Sequence, residues 1–194
     1  MIDFHNMPKK EKTAVLSFYK KNIQRHLYVT NKNRIFLSKN AAFCTWLSDL
    51  NSLFPKAQFI LSVRDPKTAI NAQLNALKPA RNLFGTDPNG TLTKTIIHQS
   101  FEKNYASILH FLKTTSKTKY VLIQQEALRE DSIGILTKAI NQLTINLPME
   151  SIKVKVPCSN AVNKTQTSPL QDPVDPNIIN TYKEIINLAS FENR

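Results

Sequence analysis

The chain has 194 residues, 41% of them hydrophobic, and a formal net charge of +12 from 26 basic and 14 acidic side chains. That length and composition suit one globular domain with a sizeable core, and no apolar run approaches the roughly 20 residues of a membrane span. The opening MIDFHNMPKKEK has no apolar stretch after its charges, so no secretory signal is expected.

Residues 9 to 28 are predicted to form an amphipathic helix, because Val15, Tyr19, Ile23 and Leu27 recur every four residues. Asn31 to Asn33 reads as a turn and Arg34 to Ser38 as a short strand. A second helix starts near Phe43, carries Trp46, Leu47, Leu50 and Leu53, and is closed by Pro55. Ala57 to Val63 is apolar on both faces, as a buried parallel strand would be. Asp65 is a good N-cap and Pro66 a good first helical residue, and Ile70, Leu74 and Leu77 supply the apolar stripe behind them. Pro79 to Gly90 is expected to be a loop.

A long helix follows from Leu92 to about Leu112, with Ile97, Phe101, Tyr105, Ile108 and Leu112 on one face. Tyr120 to Gln124 reads as a third buried strand. Asp131 and Ser132 are candidate caps for a helix with Leu136, Ala139, Ile140 and Leu143. Residues 148–176 are irregular, rich in Pro and polar side chains, with a short strand at Ile152 to Val156. Asp175-Pro176 opens a last helix containing Ile179, Tyr182 and Ile186. Such alternation predicts an α/β fold, a parallel sheet flanked by helices, in a single domain over residues 1–194.

Charge is concentrated near the start. Residues 1–40 hold nine Lys or Arg against Asp3 and Glu11. A basic balance favours anionic partners such as a nucleotide, a phosphorylated or sulfated acceptor, or nucleic acid; it equally describes a solvated surface. Cys44 and Cys158 have no paired metal-ligand spacing and read as free thiols of a cytoplasmic protein. The histidines, His5, His26, His98 and His110, form no metal-binding motif, so packing or surface roles are expected and no metal is.

One juncture stands out. The apolar run Phe59-Ile60-Leu61-Ser62-Val63 ends in Arg64-Asp65-Pro66, and a helix starts straight after. In open parallel sheets, ligands bind beyond the carboxyl ends of the strands, where helix N-termini also point. Arg64 there suits a phosphate, or it pairs with Asp65 or another carboxylate. Ser38-Lys39-Asn40 repeats the theme at the exit of the preceding predicted strand. Two such strand ends would aim Lys39 and Arg64 into one crevice; the alternative for Lys39 is an ordinary solvated lysine.

At these residues the chain resembles the sulfotransferases that use 3′-phosphoadenosine 5′-phosphosulfate (PAPS). The likeness runs through FYKKNIQRHLY with RIFLSKN, then LFPKAQFILSVRDPKTAI, then YVLIQQEALREDSIGILTKAINQL, and more weakly NKTQTSPLQDPVDPNIINTY. The resemblance implies a P-loop-NTPase-like fold. It also implies an adenine nucleotide co-substrate and transfer of a sulfonate to a hydroxyl or amine acceptor. Arg64 would contact the nucleotide 3′-phosphate, and Lys39 would lie near the transferred sulfonate. Glu126 takes the acidic position of the strand–turn block, where a structural role is expected.

The chain departs from the family pattern in three places. Ala72 stands where the family has a serine ligand of the 3′-phosphate, leaving Asn71 and Gln73 as substitutes. Ala41 stands in place of a proline. The Gly-rich 5′-phosphosulfate loop and its strand are not found ahead of the first matching block, and the first glycine is Gly85. The chain thus looks like the C-terminal part of a sulfotransferase. Its sheet would have an uncovered edge, and exposed apolar surface or a covering protein partner is expected. Two further readings stay open: a nucleotide- or anion-binding pseudoenzyme, and a basic nucleic-acid-binding protein. The latter lacks aromatic residues interleaved with its basic cluster.

Overall fold

The computed structural model describes residue 4 and residues 6–30, 35–145 and 173–190. Helices dominate it. Helix α1 (Lys9–Thr30) leads to a 3₁₀ segment (Ala41–Trp46) and α2 (Leu47–Leu53). Strand β1 (Phe59–Val63), α3 (Pro66–Phe84) and α4 (Thr91–Thr114) follow. Strand β2 (Tyr120–Gln124), α5 (Gln125–Glu130), α6 (Ser132–Gln142) and α7 (Pro176–Ser190) complete the order.

Among the described residues the sheet has two strands. β1 and β2 run parallel, in a register that sets Phe59 opposite Tyr120 and Val63 opposite Gln124. One face packs on the main core, where Leu61, Val63 and Tyr120 meet Ile108 and Phe111 of α4 and Ile178 and Ile185 of α7. The other face is covered only over β2, where Val121 and Ile123 pack on Ala139 of α6 and on Leu143. Over β1 it is open: Ile60 is 43% exposed. The expectation of a strand buried on both faces therefore holds for β2 and fails for β1, because no helix among the described residues covers Ile60 and Ser62. A third, smaller cluster joins Phe4, stacked on Trp46 at 3.9 Å, to Leu50 and the inner stripe of α1.

The strand expected at Arg34 to Ser38 is not formed over residues 35–38. Arg34 is outside the described residues, and residues 35–40 are exposed and have no regular structure. A strand needs a neighbour to satisfy its backbone groups. Here the segment lies against α1 instead: the Ser38 and Tyr19 hydroxyls are 3.0 Å apart, and Phe36 meets the His26 ring edge-on at 5.6 Å. The predicted strand at Ile152 to Val156, and most of the irregular 148–176 segment, lie outside the described residues.

The loop expected from Pro79 is helix up to Phe84. Proline removes one internal hydrogen bond, to the carbonyl four residues back. Asn75 and Pro79 are both exposed, so water can satisfy that carbonyl. The helix stops at Gly85, whose φ of 62° few other residues accept. Asp87 then caps α4, accepting from Leu92 N at 3.1 Å, Thr93 N at 2.7 Å and Thr93 Oγ1 at 2.6 Å. Arg81 reaches back to Asp87 at 3.8 Å, over Gly90.

Candidate functional site

The carboxyl ends of the two strands lie side by side, because Val63 and Gln124 are paired in the register. Arg64 leaves β1 at that point, and Gln125 and Glu126 leave β2. The β1 exit turns sharply into α3. Asp65 caps the helix, its Oδ1 accepting from Thr68 N and Thr68 Oγ1, both at 2.8 Å. Pro66 takes the first helical position, where its missing N–H costs nothing.

This cap decides one of the open alternatives. Asp65 is committed to Thr68, and Arg64 has no ion pair among the described residues. Arg64 is half-buried, and its Nε is covered by protein with no hydrogen-bond partner. Covered guanidinium donors without an acceptor are costly. The backbone of Arg64, by contrast, is held. Tyr105 of α4 donates its hydroxyl to the Arg64 carbonyl at 2.6 Å. Burial, with Tyr182, Asp65, Glu126 and Cys44 adding to it, pushes the Tyr105 phenol well above its ordinary range, so it stays a donor at any physiological pH. Tyr182 of α7 stands 5.9 Å away, ring centre to ring centre. Its phenol is raised as well, first by burial and then by Glu126 and Asp65. The strand exits thus carry Arg64, unpaired among the described residues, and the carboxylates of Asp65 and Glu126, with Tyr105 bonded to the Arg64 carbonyl and Tyr182 packed behind it.

The sulfotransferase family model matches residues 4–149. The chain belongs to the sulfotransferase family. Among curated proteins and among solved structures, nothing matches it. The matched span of this sulfotransferase-family chain includes α1 to α6, and α7 with Tyr182 lies beyond it.

The sequence-predicted site residues fall in different places. Arg64 is where the strand-end argument puts it. Lys39 is exposed, without a hydrogen bond or ion pair among the described residues, and leaves an irregular segment, not a strand. The two-strand-end argument for bringing it beside Arg64 therefore loses its premise. Next to it, Asn40 caps the 3₁₀ segment by accepting from Ala42 N at 3.0 Å. On α3, Asn71 gives one Nδ2 hydrogen to the Lys67 carbonyl at 2.8 Å, which leaves its second amide hydrogen and its oxygen free. Gln73 is exposed. The amino end of α3 is also less open to an anion than its dipole suggests, because the Asp65 carboxylate already occupies it.

Sequence reasoning placed Tyr105 and Tyr182 only in apolar stripes. The signal for more was present: a tyrosine in a core position carries a hydroxyl that must find an acceptor. A separate cleft of about 150 Å³ opens between the 3₁₀ segment, α2 and α4, and contains Cys44, Ser48, Ser107 and His110 but not Arg64. Burial pushes the free Cys44 thiol up, which lowers its reactivity. Among the described residues no cluster of His, Cys, Asp or Glu could hold a metal ion, and no helix is long and apolar enough to cross a membrane.

Proposed function

We propose that this chain binds the adenine nucleotide PAPS at the exit of β1, with Arg64 on the 3′-phosphate, and serves sulfonate transfer to a hydroxyl or amine acceptor. The observation that supports this is the Arg64 Nε, covered yet unpartnered, at a strand end of a sulfotransferase-family chain. A phosphate oxygen would supply the missing acceptor and the opposite charge together. In the transfer, the acceptor oxygen or nitrogen forms a bond to sulfur while the bond from sulfur to the phosphate oxygen breaks. The electron pair leaves with adenosine 3′,5′-bisphosphate, and the acceptor proton passes to a base. Positioning and cations do most of this work, since charge spreads over the sulfonate and the leaving phosphate. Lys39 is the second cation of the proposal, with Asn71 and Gln73 standing in for the hydroxyl that Ala72 lacks. Reaching the sulfonate requires the exposed 35–40 segment to close towards β1. A cytoplasmic setting goes with this reading, since it keeps Cys44 reduced.

A second reading, nucleotide binding without transfer, is favoured by the glycines. Gly85 and Gly90 end α3 and start α4, and Gly134 lies inside α6. None of them cradles a phosphate at the strand exits. On either reading a further polypeptide segment or protein partner covers β1, whose outer face leaves Ile60 in solvent.

Calorimetric titration with adenosine 3′,5′-bisphosphate, beside Arg64→Ala, tests the binding reading. Saturable binding that the substitution abolishes is the expected result. Equal binding by both proteins, or none by the folded wild type, sinks it. Turnover of PAPS, followed as release of the bisphosphate, separates the two readings.

A further inference from the structure

We infer that Tyr105 is the positioning residue of the nucleotide site, acting through the Arg64 carbonyl to aim the guanidinium. This rests on the proposed role of Arg64 and goes beyond it, to the group that sets its direction.

The argument starts from the backbone. Arg64 is the first residue past β1, so its carbonyl lies outside the ladder with β2. It also receives no donor from the first turn of α3. The N–H that would reach it, four residues on, belongs to Thr68, and that N–H is held by the Asp65 carboxylate. The Ala69 N–H goes to the Asp65 carbonyl at 2.9 Å. A carbonyl at the mouth of a strand needs a partner. Tyr105 provides it from α4, across 41 residues of sequence, at 2.6 Å.

The peptide plane between Arg64 and Asp65 is thereby fixed from one side. Fixing it restricts Arg64 ψ, and with the strand holding Val63 the direction of the Arg64 Cα–Cβ bond is set. Tyr105 can do this because its own ring is held by packing. It is 4% exposed and packed against Phe101 and Tyr182, each at 5.9 Å. A cation that must meet a phosphate bidentately loses most when its approach angle is free.

The test is a double-mutant cycle read by calorimetry. Wild type, Tyr105→Phe, Arg64→Ala and the double variant are each titrated with adenosine 3′,5′-bisphosphate and with adenosine 5′-phosphate, which lacks the 3′-phosphate. Tyr105→Phe keeps the ring and loses one oxygen. It is expected to weaken the bisphosphate by about tenfold and leave adenosine 5′-phosphate unchanged, a specificity that loss of stability alone would not produce. In the double variant the phenylalanine is expected to add nothing to Arg64→Ala. Installing 4-aminophenylalanine at position 105, which returns a donor, should restore affinity. Wild-type affinity in Tyr105→Phe overturns the inference. So does an additive loss in the double variant, which would mean that Tyr105 acts without Arg64. Bisphosphate binding insensitive to Arg64→Ala removes the proposed role of Arg64 itself, and the inference with it.

Discussion

Asp65 spends its carboxylate on Thr68, one turn into α3, and leaves its neighbour Arg64 without a counter-ion among the described residues. The adjacency Arg-Asp in sequence is thus not a pair in space. Asp65→Ala removes a cap with two bonds and is expected to cost about 1 kcal/mol of stability in urea unfolding. The same substitution removes a negative charge beside the phosphate site, so affinity for adenosine 3′,5′-bisphosphate should rise or hold. A fall in affinity would mean that Asp65 orders Arg64 more than it repels the ligand.

Gly85 and Gly90 both have positive φ, 62° and 73°, yet they should respond differently to alanine. A Cβ on Gly85 meets open space, so only backbone strain of about 1–2 kcal/mol is incurred. A Cβ on Gly90 collides with the Arg81 guanidinium as well. Moving the guanidinium aside would break its contact with Asp87, so Gly90→Ala should destabilise the protein somewhat more than Gly85→Ala in chemical denaturation. Equal losses would show that the Arg81 side chain moves aside from Gly90 at little cost.

Acid stability carries a signature of Asp87. Hydrogen bonds from Thr93 hold its carboxyl below the ordinary range, with Leu92 and Arg81 adding to the effect. A lowered folded-state pKa stabilises above the unfolded value, near 4, and that stability is lost as pH falls through the folded value. Melting temperature should drop below about pH 4 in the wild type, and less steeply in Asp87→Asn. Parallel curves for the two proteins would contradict the cap.

The alternation along β1 gives a test of its one-sided burial. Leu61 is 7% exposed and Ile60 43%. Leu61→Ala should cost about 2–5 kcal/mol, and Ile60→Ser within about 0.5 kcal/mol. A large loss at Ile60 in the isolated chain would show that its face is covered in solution.

Much of this arrangement is legible in the sequence where local chemistry decides it. Tyr120 to Gln124 forms the strand that its apolar run predicts, and Asp65-Pro66 starts α3 as cap and first residue. Where a distant partner decides, the sequence misleads. Arg34 to Ser38 has the residues of a strand, but residues 35–38 find no neighbour to pair with among the described residues, and Ile35 and Leu37 stay 64% and 85% exposed. Pro79 marks a break on paper, yet α3 continues to Phe84 because the turn is exposed and water can satisfy the Asn75 carbonyl, a matter of tertiary placement. The same holds in the site. Arg64 is visible at a strand exit, but its lack of a partner depends on the Asp65 cap, and its fixed carbonyl depends on Tyr105.

The central claim is contact between Arg64 and the 3′-phosphate of the nucleotide. Phosphorus NMR of adenosine 3′,5′-bisphosphate, titrated with wild type and with Arg64→Ala, reads the two phosphates separately. The account predicts that wild type shifts and broadens the 3′ resonance and that Arg64→Ala leaves it at its free position. A 3′ resonance that responds alike to both proteins, or a response confined to the 5′-phosphate, would contradict it.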